Sequence, residues 1–374
     1  MRKRIKYFTY YGCLDKGGLR KNSPAADTKT DYIVSVLNRI GYGVDIISLA
    51  PSAETYFLNS SLKIEKTNRF RYFASFGITN SFLRYINLCL MRIQFIVWCI
   101  FNLRKNEQII VYHSLGYDKM FIWLQKVKKL RIVGEIEEIY QDVAEQPHRH
   151  RRNEFRFIEL CAKYIFPTQF LDKNINVYDK PSVVVHGIYS RANITEKKFS
   201  DGKVHVVYGG TLDPNKGGAY AAVEAATHLS GNYHIHICGF GDSVAIQTLI
   251  KDSQSEAKAT ITFEGELIGD AYIHFIQKCH IGLSTQNPNA KFNDTSFPSK
   301  VLVYLSNGLK VVSARIPVVV NSALVDDIFF YDEQISEKIA EAIILATESP
   351  DIKRDVLADL DERFMKELEI LLDD

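Results

Sequence analysis

The chain has 374 residues, of which 46% are hydrophobic and 24% charged, and its net charge is +2. This composition excludes a disordered or collagen-like chain, and a length above the usual domain size of roughly 100–200 residues indicates two domains. The six cysteines are scattered, without a Cys-x-x-Cys pair or a His/Cys group at metal-ligand spacing, so we expect a reducing cytoplasm and no metal site.

Charge is divided unevenly between the two halves. Residues 1–187 hold 29 Lys and Arg against 17 Asp and Glu, a balance of +12, and the remainder holds 17 against 27, a balance of −10. The first half is therefore the part expected to meet an anionic surface. No recognition motif accompanies the basic clusters, so we expect no nucleic-acid partner.

The first half alternates strand-like and helix-like runs. The basic start is followed by a strand too short and polar for a signal peptide, which favours a cytoplasmic protein. Alternation of this kind predicts a parallel, doubly wound sheet. The runs, in order, are the strand "RIKYFTYY", a glycine-containing loop, the helix "TKTDYIVSVLNRIG", and the strands "YGVDIISLAP", "QIIVYHS" and "LRIVGEI".

Residues 82–103 are mostly apolar but contain Arg84 and Arg92. Two internal arginines would each cost roughly 2.5–3.5 kcal/mol at the centre of a bilayer, so a spanning helix is not expected. Two alternatives stay open. Either the helix belongs to the core of the first domain, or residues 69–105 make a peripheral contact with a membrane surface.

The alternation restarts after about residue 190. The pattern predicts strands at "VHVVYGG", "YHIHICGFGD", "ATITFEG", "HIGLS" and "LKVVSA", separated by helices. We therefore predict an α/β chain with one Rossmann-like domain at 1–190 and a second at 191–350. A helical segment at 351–374 is expected to pack back on the first domain.

Three segments of the second domain have features of a phosphate site. "GGTLDPNKGG" and "GFGD" follow strands, so glycine backbone can approach a diphosphate while Lys216 supplies charge. "SFPSKVLVYLSNG" predicts a helix with Thr295 or Ser296 as N-cap, Pro298 in its first turn and Gly308 as its stop. Such a helix start suits an anion.

These segments, in this order, resemble the retaining glycosyltransferases of the GT-B fold, in particular family 4. The matching stretches are "YGGTLDPNKGG", "HIHICGFGD", "ITFEGEL", "FPSKVLVYLSNGLKVVSA" and "IAEAIILA". A weaker likeness runs through the first domain. The resemblance implies two Rossmann-like domains facing across a cleft, and a nucleotide diphosphate sugar as co-substrate without a further cofactor.

The resemblance also implies roles for individual residues. Lys216 is expected to neutralise the donor diphosphate, and His113 to lie near the transferred sugar, although an ordinary strand-end histidine is the alternative. The other expected donor-binding residues are Gly17, Gly18, Gly210, Thr211, Gly239, Gly241, Asp294, Thr295, Ser296, Phe297, Ser299 and Lys300.

Two features depart from the family or stay ambiguous. Val303 stands where the family usually has a glutamate that holds the ribose, which leaves open an altered donor, an inactive relative, or substitution of the glutamate by a neighbour such as Asp294. Glu135, Glu137 and Glu138 follow a first-domain strand, and they are either solvated structural residues or carboxylates of the cleft.

The resemblance predicts a retaining, metal-independent hexosyltransferase that uses a UDP- or GDP-sugar. The basic first domain favours a saccharide or lipid-linked saccharide acceptor at the inner face of the cell membrane, as in bacterial surface polysaccharide or lipopolysaccharide assembly. The alternatives are a nucleotide-sugar epimerase or hydrolase of the same fold, and a catalytically inactive binding subunit.

Overall fold

The computed structural model describes residues 3–12, 19–21, 23–53, 57–77, 80–140, 148–214, 217–288, 293, 296–350 and 355–373. The chain forms two compact units. The first comprises Met1–Ile188 together with Arg363–Asp374, and the second comprises Tyr189–Glu362.

The first unit is built on an eight-stranded sheet in its described part, with the strand order β10-β9-β8-β7-β1-β2-β5-β4. All neighbouring strands run parallel except the β4–β5 hairpin at one edge. The strands of the unit are β1 (Lys3–Thr9), β2 (Tyr42–Ser48), β3 (Phe57–Leu58), β4 (Ser61–Glu65), β5 (Asn68–Tyr72), β6 (Ser75–Phe76), β7 (Gln108–Tyr112), β8 (Arg131–Glu135), β9 (Lys163–Phe166) and β10 (Ser182–Val184). Two of them, β3 and β6, pair antiparallel in a separate two-stranded sheet. The helices are α1 (Pro24–Arg39), α2 (Ser81–Asn102), α3 (Asp118–Lys128), α4 (His148–Leu160) and α5 (Gln169–Ile175).

Helix α2 packs on this unit along one narrow stripe. Asn80 caps it by accepting hydrogen bonds from the N–H groups of Phe82 and Leu83 at 3.0 and 3.2 Å. The stripe consists of Asn87, Met91, Phe95 and Cys99, spaced by four residues. The ring of Phe95 lies 5.7 Å from Phe8 and 5.9 Å from Phe121 between centroids, which ties α2 into the aromatic core.

The opposite face of α2 is apolar and exposed. The exposed residues include Phe82, Ile86, Leu90, Ile93, Val97, Ile100 and Phe101. At about 100° per residue these positions cluster opposite the buried stripe, while Arg84 and Arg92 lie outside the cluster. By length and composition alone, the helix could cross a membrane, and 22% of its most apolar 18-residue stretch is buried. Helix α2 is therefore only partly buried: one stripe packs on the first unit, and the opposite face is exposed.

The second unit contains a six-stranded parallel sheet in its described part, with the order β13-β12-β11-β14-β15-β16. Its strands are β11 (Val204–Leu212), β12 (Tyr233–Gly241), β13 (Thr260–Gly265), β14 (Ile281–Ser284), β15 (Lys310–Ala314) and β16 (Ile328–Tyr331). Its helices are α6 (Gly218–Ala225), α7 (Ser243–Gln254), α8 (Asp270–Lys278), α9 (Ser299–Ser306), α10 (Pro317–Val320), α11 (Ser336–Glu348) and α12 (Val356–Asp373), the last of which enters the first unit at Arg363.

The strand order identifies where a ligand of the second unit is expected. Numbered within the unit, the strand order is 3-2-1-4-5-6, which is the doubly wound arrangement. Successive strands are added toward one edge up to the third strand and toward the other edge from the fourth, so the reversal lies between the first and fourth strands. Here these are β11 and β14. Ligands of such sheets bind at the carboxyl ends of the strands beside this reversal. The predicted α/β class with parallel sheets is confirmed.

Helix α12 returns to the first unit through its C-terminal part. The ring of Phe364 stacks on Tyr32 with 5.9 Å between centroids, and the Gln108 side chain donates to the carbonyl of Leu372 at 2.8 Å. These contacts attach the end of the chain to α1 and β7 of the first unit.

Candidate functional site

The carboxyl ends of β11 and β12 consist largely of glycine and lie side by side. The parallel register pairs Gly210 with Gly239 and Leu212 with Gly241. Gly239 has φ 148°, and a Cβ there would overlap the carbonyl oxygen of Gly210. A side chain at 239 would therefore push the two strands apart. Both strands thus present bare backbone at the edge where a ligand is expected.

Lys300, in the first turn of α9, reaches the glycine end of β11. Its Nζ lies 3.3 Å from the Tyr208 hydroxyl and 4.5 Å from the centre of the same ring. A Cβ on Gly210 would lie 2.7 Å from this Nζ. Glycine at 210 therefore leaves the space that the ammonium group occupies. The structure brings together two residues, Gly210 and Lys300, that were predicted from separate motifs.

The amino end of α9 carries the features of an anion site. The helix begins at Ser299, Pro298 is its N-cap in an extended conformation, and the cap makes no side-chain hydrogen bond. The first-turn N–H groups, which no helix can satisfy internally, are thus left without a side-chain cap. Ser299 is exposed beside them, whereas Phe297 is buried. Backbone donors, a hydroxyl and an ammonium group converge there.

The predicted capping of this helix is wrong. Pro298 occupies the N-cap with φ −70° and ψ 102° instead of lying in the first helical turn, so Ser296 falls two residues before the cap. Proline fixes φ and has no N–H, which makes this extended position compatible with the chain entering the helix. The predicted stop is confirmed, since Gly308 follows the helix with φ 73°.

Two tyrosines, Tyr304 on α9 and Tyr272 on α8, pack their helices against the sheet. The hydroxyl of buried Tyr304 accepts a hydrogen bond from the Gly209 N–H at 2.9 Å, and its ring fills the space left by Gly282. The ring of Tyr272 occupies the place where a Cβ on Gly209 would lie, 2.6 Å away. Neither tyrosine was predicted from the sequence. Each faces a glycine inside a buried strand, Gly209 on β11 or Gly282 on β14, and such a glycine indicates a large side chain packed against the strand.

The start of α6 lies against the end of β14. Gly217 is its N-cap with φ 67°, and the Thr285 hydroxyl donates to the Gly218 carbonyl at 2.7 Å. A Cβ on Gly218 would overlap the Thr285 carbonyl. The start of α6 is therefore held at the reversal point between β11 and β14.

A polar cavity opens on the same edge of the sheet. Its volume is about 590 Å³, and its lining includes Asn287, Arg315, Asp332 and Gln334, which follow β14, β15 and β16. Arg315 and Asp332 form an ion pair. The side-chain amide of Gln334 approaches the start of α6, where a Cβ on Gly217 would lie 3.1 Å from it. No motif marked this cavity in the sequence, because its walls come from three strand ends.

Several predicted site residues lie outside the described residues: Gly17, Gly18, Lys216, Asp294 and Thr295. Thr211 and Gly241 lie on the described strand ends, with Gly241 exposed. Val303 is half-buried on α9. The roles expected of all these residues stay predictions.

His113 follows β7 in the first unit and is 1% exposed. Its Nε2 lies 3.6 Å from a Glu154 carboxylate oxygen and 3.9 Å from one of Asp118, and its ring stacks on Phe157. Burial lowers the pKa of His113 to about 4 and, together with the charge of Glu154, raises the pKa of Asp118 to about 8. The imidazole is thus neutral at neutral pH and enclosed within the unit.

The three glutamates after β8 have different environments. Glu135 is fully buried and accepts a hydrogen bond from the Tyr7 hydroxyl, and burial raises its pKa to about 8. Glu137 pairs with Lys29 at 2.5 Å. Burial also raises the pKa of half-buried Glu138. The alternative of solvated carboxylates is therefore wrong for Glu135, because its side chain is fully buried and contacts Tyr7.

Solved structures similar to this chain include glycosyltransferases of known fold. A structure from E. coli, described as trehalose-6-phosphate bound with UDP-2-fluoro glucose, has 9% identity and a TM-score of 0.62, covering 98% of this chain and 95% of its own. An alpha,alpha-trehalose-phosphate synthase (UDP-forming) from Burkholderia xenovorans, in complex with glucose-6-phosphate, has 11% identity and a TM-score of 0.59, covering 99% and 98%. The lipopolysaccharide outer core galactosyltransferase WaaB, in its apo form, has 12% identity and a TM-score of 0.57, covering 99% of both chains.

The chain has the GT-B fold. The predicted GT-B architecture of two Rossmann-like domains is thereby confirmed, since these matches run over nearly the whole length of both chains. No family model matches the sequence, and no curated protein matches it. Identities of 9–12% establish the fold alone. Membership of family 4 and retention of anomeric configuration stay predictions.

Proposed function

We propose that this GT-B protein is a retaining hexosyltransferase that moves a sugar from a UDP- or GDP-sugar to a saccharide acceptor. The observation that carries the proposal is the amino end of α9, where Lys300 lies against Gly210 at the carboxyl edge of the sheet. Among the similar structures, one holds UDP-2-fluoro glucose and a UDP-forming synthase holds glucose-6-phosphate, which supports a nucleotide-sugar donor and a saccharide acceptor.

In this proposal the second unit stabilises the leaving group. The bond between the anomeric carbon and the diphosphate oxygen breaks, and the nucleoside diphosphate departs toward the first turn of α9. Its developing charge is met by backbone N–H groups and by Lys300 and Lys216, so no metal ion or further cofactor is required at this step. Fixed donors and charges of this kind commonly lower the barrier of an enzymatic reaction more than any other single effect.

The acceptor supplies the other half of the reaction. Its hydroxyl oxygen forms the new bond on the face from which the diphosphate leaves, and its proton passes to a diphosphate oxygen. The configuration at the anomeric carbon is then retained. This route needs no protein base, which agrees with the enclosed positions of His113 and Glu135.

We further propose that the acceptor is lipid-linked and reached at the inner face of the cell membrane, in surface polysaccharide or lipopolysaccharide assembly. Two features support this: the +12 balance of residues 1–187, and the exposed apolar face of α2. An apolar helix face suits the boundary between headgroups and acyl chains. Each Lys or Arg near an anionic leaflet contributes about 1 kcal/mol.

A panel of nucleotide sugars tests the proposal on the purified full chain. A donor that binds the folded state raises its melting temperature by mass action, and we expect a UDP- or GDP-sugar to do so. The donor found is then incubated with lipid-linked saccharides, and the anomeric configuration of the product is determined. No shift with any nucleotide sugar, or an inverted product, contradicts the proposal.

Val303 favours one alternative, a catalytically inactive binding subunit. A valine accepts no hydrogen bond, so it cannot hold a ribose hydroxyl as the glutamate of the resembled family does. Calorimetry separates the cases. Donor binding together with transfer supports the enzyme, whereas failure to bind any nucleotide supports the inactive subunit. Product formed from the donor alone, without acceptor, indicates an epimerase or hydrolase.

A further inference from the structure

Four histidines gather at the amino ends of three neighbouring strands of the second unit. His205 on β11 pairs in register with His234 on β12, and His236 lies two residues further along the same face of β12. His280 immediately precedes β14, and its Nδ1 accepts a hydrogen bond from the His205 N–H at 3.0 Å. Ring nitrogens of His205, His234 and His236 all lie within 4.8 Å of one another.

Carboxylates hold the outer nitrogens of two of these rings. His205 Nε2 lies 2.9 Å from Asp201, and His236 Nδ1 lies 2.8 Å from Glu264. A carboxylate at this distance accepts the proton of the ring nitrogen that faces it. Carboxylates placed in this way fix the tautomer of metal-binding histidines and raise the basicity of the other nitrogen.

The third histidine is fixed through a hydroxyl. Thr262 donates to Glu264, and its oxygen lies 3.0 Å from His234 Nε2. Because the single hydroxyl proton is used on Glu264, the His234 Nε2 must donate to the threonine oxygen. Nδ1 of His234 is then the nitrogen that carries the lone pair.

The protons on His205 and His236 leave a place for a cation between the two rings. With their outer nitrogens donating, neutral His205 and His236 each direct a lone pair at the other ring, and the two nitrogens are 2.8 Å apart. Two lone pairs at this distance repel unless a positive charge lies between them. An extra proton or a metal ion satisfies the pair while both rings keep their carboxylate partners, whereas a change of tautomer gives up one of those hydrogen bonds.

The surroundings disfavour the extra proton. His205 and His236 are buried and His234 is half-buried, and burial disfavours a charged ring. Phe199 stacks on His205 with 4.2 Å between centroids. Neutral imidazoles in a partly apolar enclosure are the state that a transition metal binds.

We propose that His205, His234 and His236 bind a divalent transition metal ion of the zinc class, with Asp201, Glu264 and Thr262 orienting the rings. Three imidazole nitrogens are a usual ligand set for zinc, and a water molecule or Glu264 completes four-coordination. Zinc–nitrogen bonds of about 2.0–2.1 Å place ligand nitrogens roughly 3.3 Å apart in a tetrahedron, so His205 and His236 separate by about half an ångström on binding. The ring of His234, which is stacked on His236 with 3.9 Å between centroids, must also turn so that its lone pair reaches the same ion.

The site lies at the end of the sheet opposite to the proposed donor site. Five residues separate His205 from Gly210 along β11, which corresponds to about 16 Å. The metal would connect β11 and β12, with orienting groups on β13 and on the segment before β11, and so stabilise the sheet. The inference is independent of the proposed function and goes beyond it.

The expectation of no metal site was based on the absence of cysteine pairs and of local His/Cys spacing. The sequence feature that indicates the cluster is the alternation in "YHIHIC", which places His234 and His236 on one face of a strand. His205 lies 29 positions before His234, and only the strand register brings the two together.

Calorimetric titration with zinc tests the proposal, using the tag-free full chain after treatment with a chelator. We expect one zinc ion per chain. The variants His234→Gln and His236→Gln should each weaken zinc binding at least about tenfold, as loss of a ligand does. His228→Gln is the matched control, since His228 contacts Ser336 away from the cluster. It should bind zinc as the wild type does.

Cobalt(II) supplies a second readout, since tetrahedral nitrogen coordination gives strong visible absorption that octahedral aqueous cobalt lacks. Circular dichroism establishes that each variant is folded, and His234→Gln is the milder change because that ring is only half-buried. Absence of zinc binding in the wild type overturns the proposal and favours a shared proton. Unchanged binding in both cluster variants overturns it as well.

Discussion

The ammonium group of Lys300 lies over the ring of Tyr208, 4.5 Å from its centre, and 3.3 Å from its hydroxyl oxygen. The tyrosine lies in the middle of β11, and the lysine lies 92 residues later in the chain, in the first turn of α9. This contact directs a positive charge to the glycine end of β11. The proposed donor site depends on it.

Replacing Lys300 by alanine should lower turnover about a hundredfold or more. The change removes one charge that stabilises the departing diphosphate, and a single such contact in an active site typically contributes a few kcal/mol to the barrier. Steady-state kinetics with the identified donor measures the effect. Lys251→Ala is the control, because Lys251 is exposed on α7. Wild-type turnover in Lys300→Ala would contradict the assigned role.

Gly239→Ala should destabilise the second unit. Its φ of 148° and the contact of the added Cβ with the Gly210 carbonyl both oppose a side chain, at a combined cost on the order of 3 kcal/mol. Urea unfolding monitored by circular dichroism measures the loss. Gly231→Ala is the matched control, because its nearest atom would lie at an ordinary 3.6 Å. Equal stability of the two variants would show that β11 and β12 are not paired in this register.

Glu135→Gln should change how stability depends on pH. The buried carboxyl has its pKa raised to about 8 from an ordinary value of 4.5, so the folded state keeps a proton that the unfolded state loses between these values. Stability of the wild type therefore falls with rising pH in this window, by up to about 1.4 kcal/mol per pH unit from this group. Glutamine stays neutral and removes the contribution.

The measured quantity is the difference in stability between wild type and variant at each pH, because Asp118 and His113 also change stability with pH in both proteins. Asp118, whose pKa is raised to about 8, acts in the same direction as Glu135, whereas His113, whose pKa is lowered to about 4, raises stability as pH increases from about 4 to 6.5. Urea unfolding across the pH range supplies the data. Exposed Glu256→Gln is the control. Parallel pH profiles of wild type and Glu135→Gln would refute the burial argument.

The double variant Ile93→Asp with Val97→Asp should reduce binding to anionic vesicles at least tenfold. Both side chains lie on the exposed face of α2, and burying an aliphatic side chain contributes about 1.5–3 kcal/mol. Flotation with phosphatidylserine-containing vesicles measures the bound fraction. Val244→Asp alters a valine that is 74% exposed in the second unit and should leave flotation unchanged. Equal flotation of all three proteins would argue against membrane contact through α2.

The alternation of strands and helices was predictable from the sequence because it depends on local periodicity. The strands at "RIKYFTYY", "QIIVYHS" and "VHVVYGG" and the helix at "VLVYLSNG" were found because apolar spacing and glycine stops act within a few residues. The edge hairpin of β4 and β5 and the strand β16 were missed. These short segments lack a strong repeating pattern, and their pairing with a neighbour decides their structure.

The sequence by itself determined the α/β class, the positions of the glycine turns and the uneven charge of the two halves. Only the tertiary structure decided that Lys300 meets Tyr208, that Glu135 is buried, that α2 exposes an apolar face and that three histidines converge. The physical reason is the range of the interactions. Helix and turn preferences act between residues a few positions apart, whereas strand register and side-chain burial depend on segments that meet only after the sheet has formed.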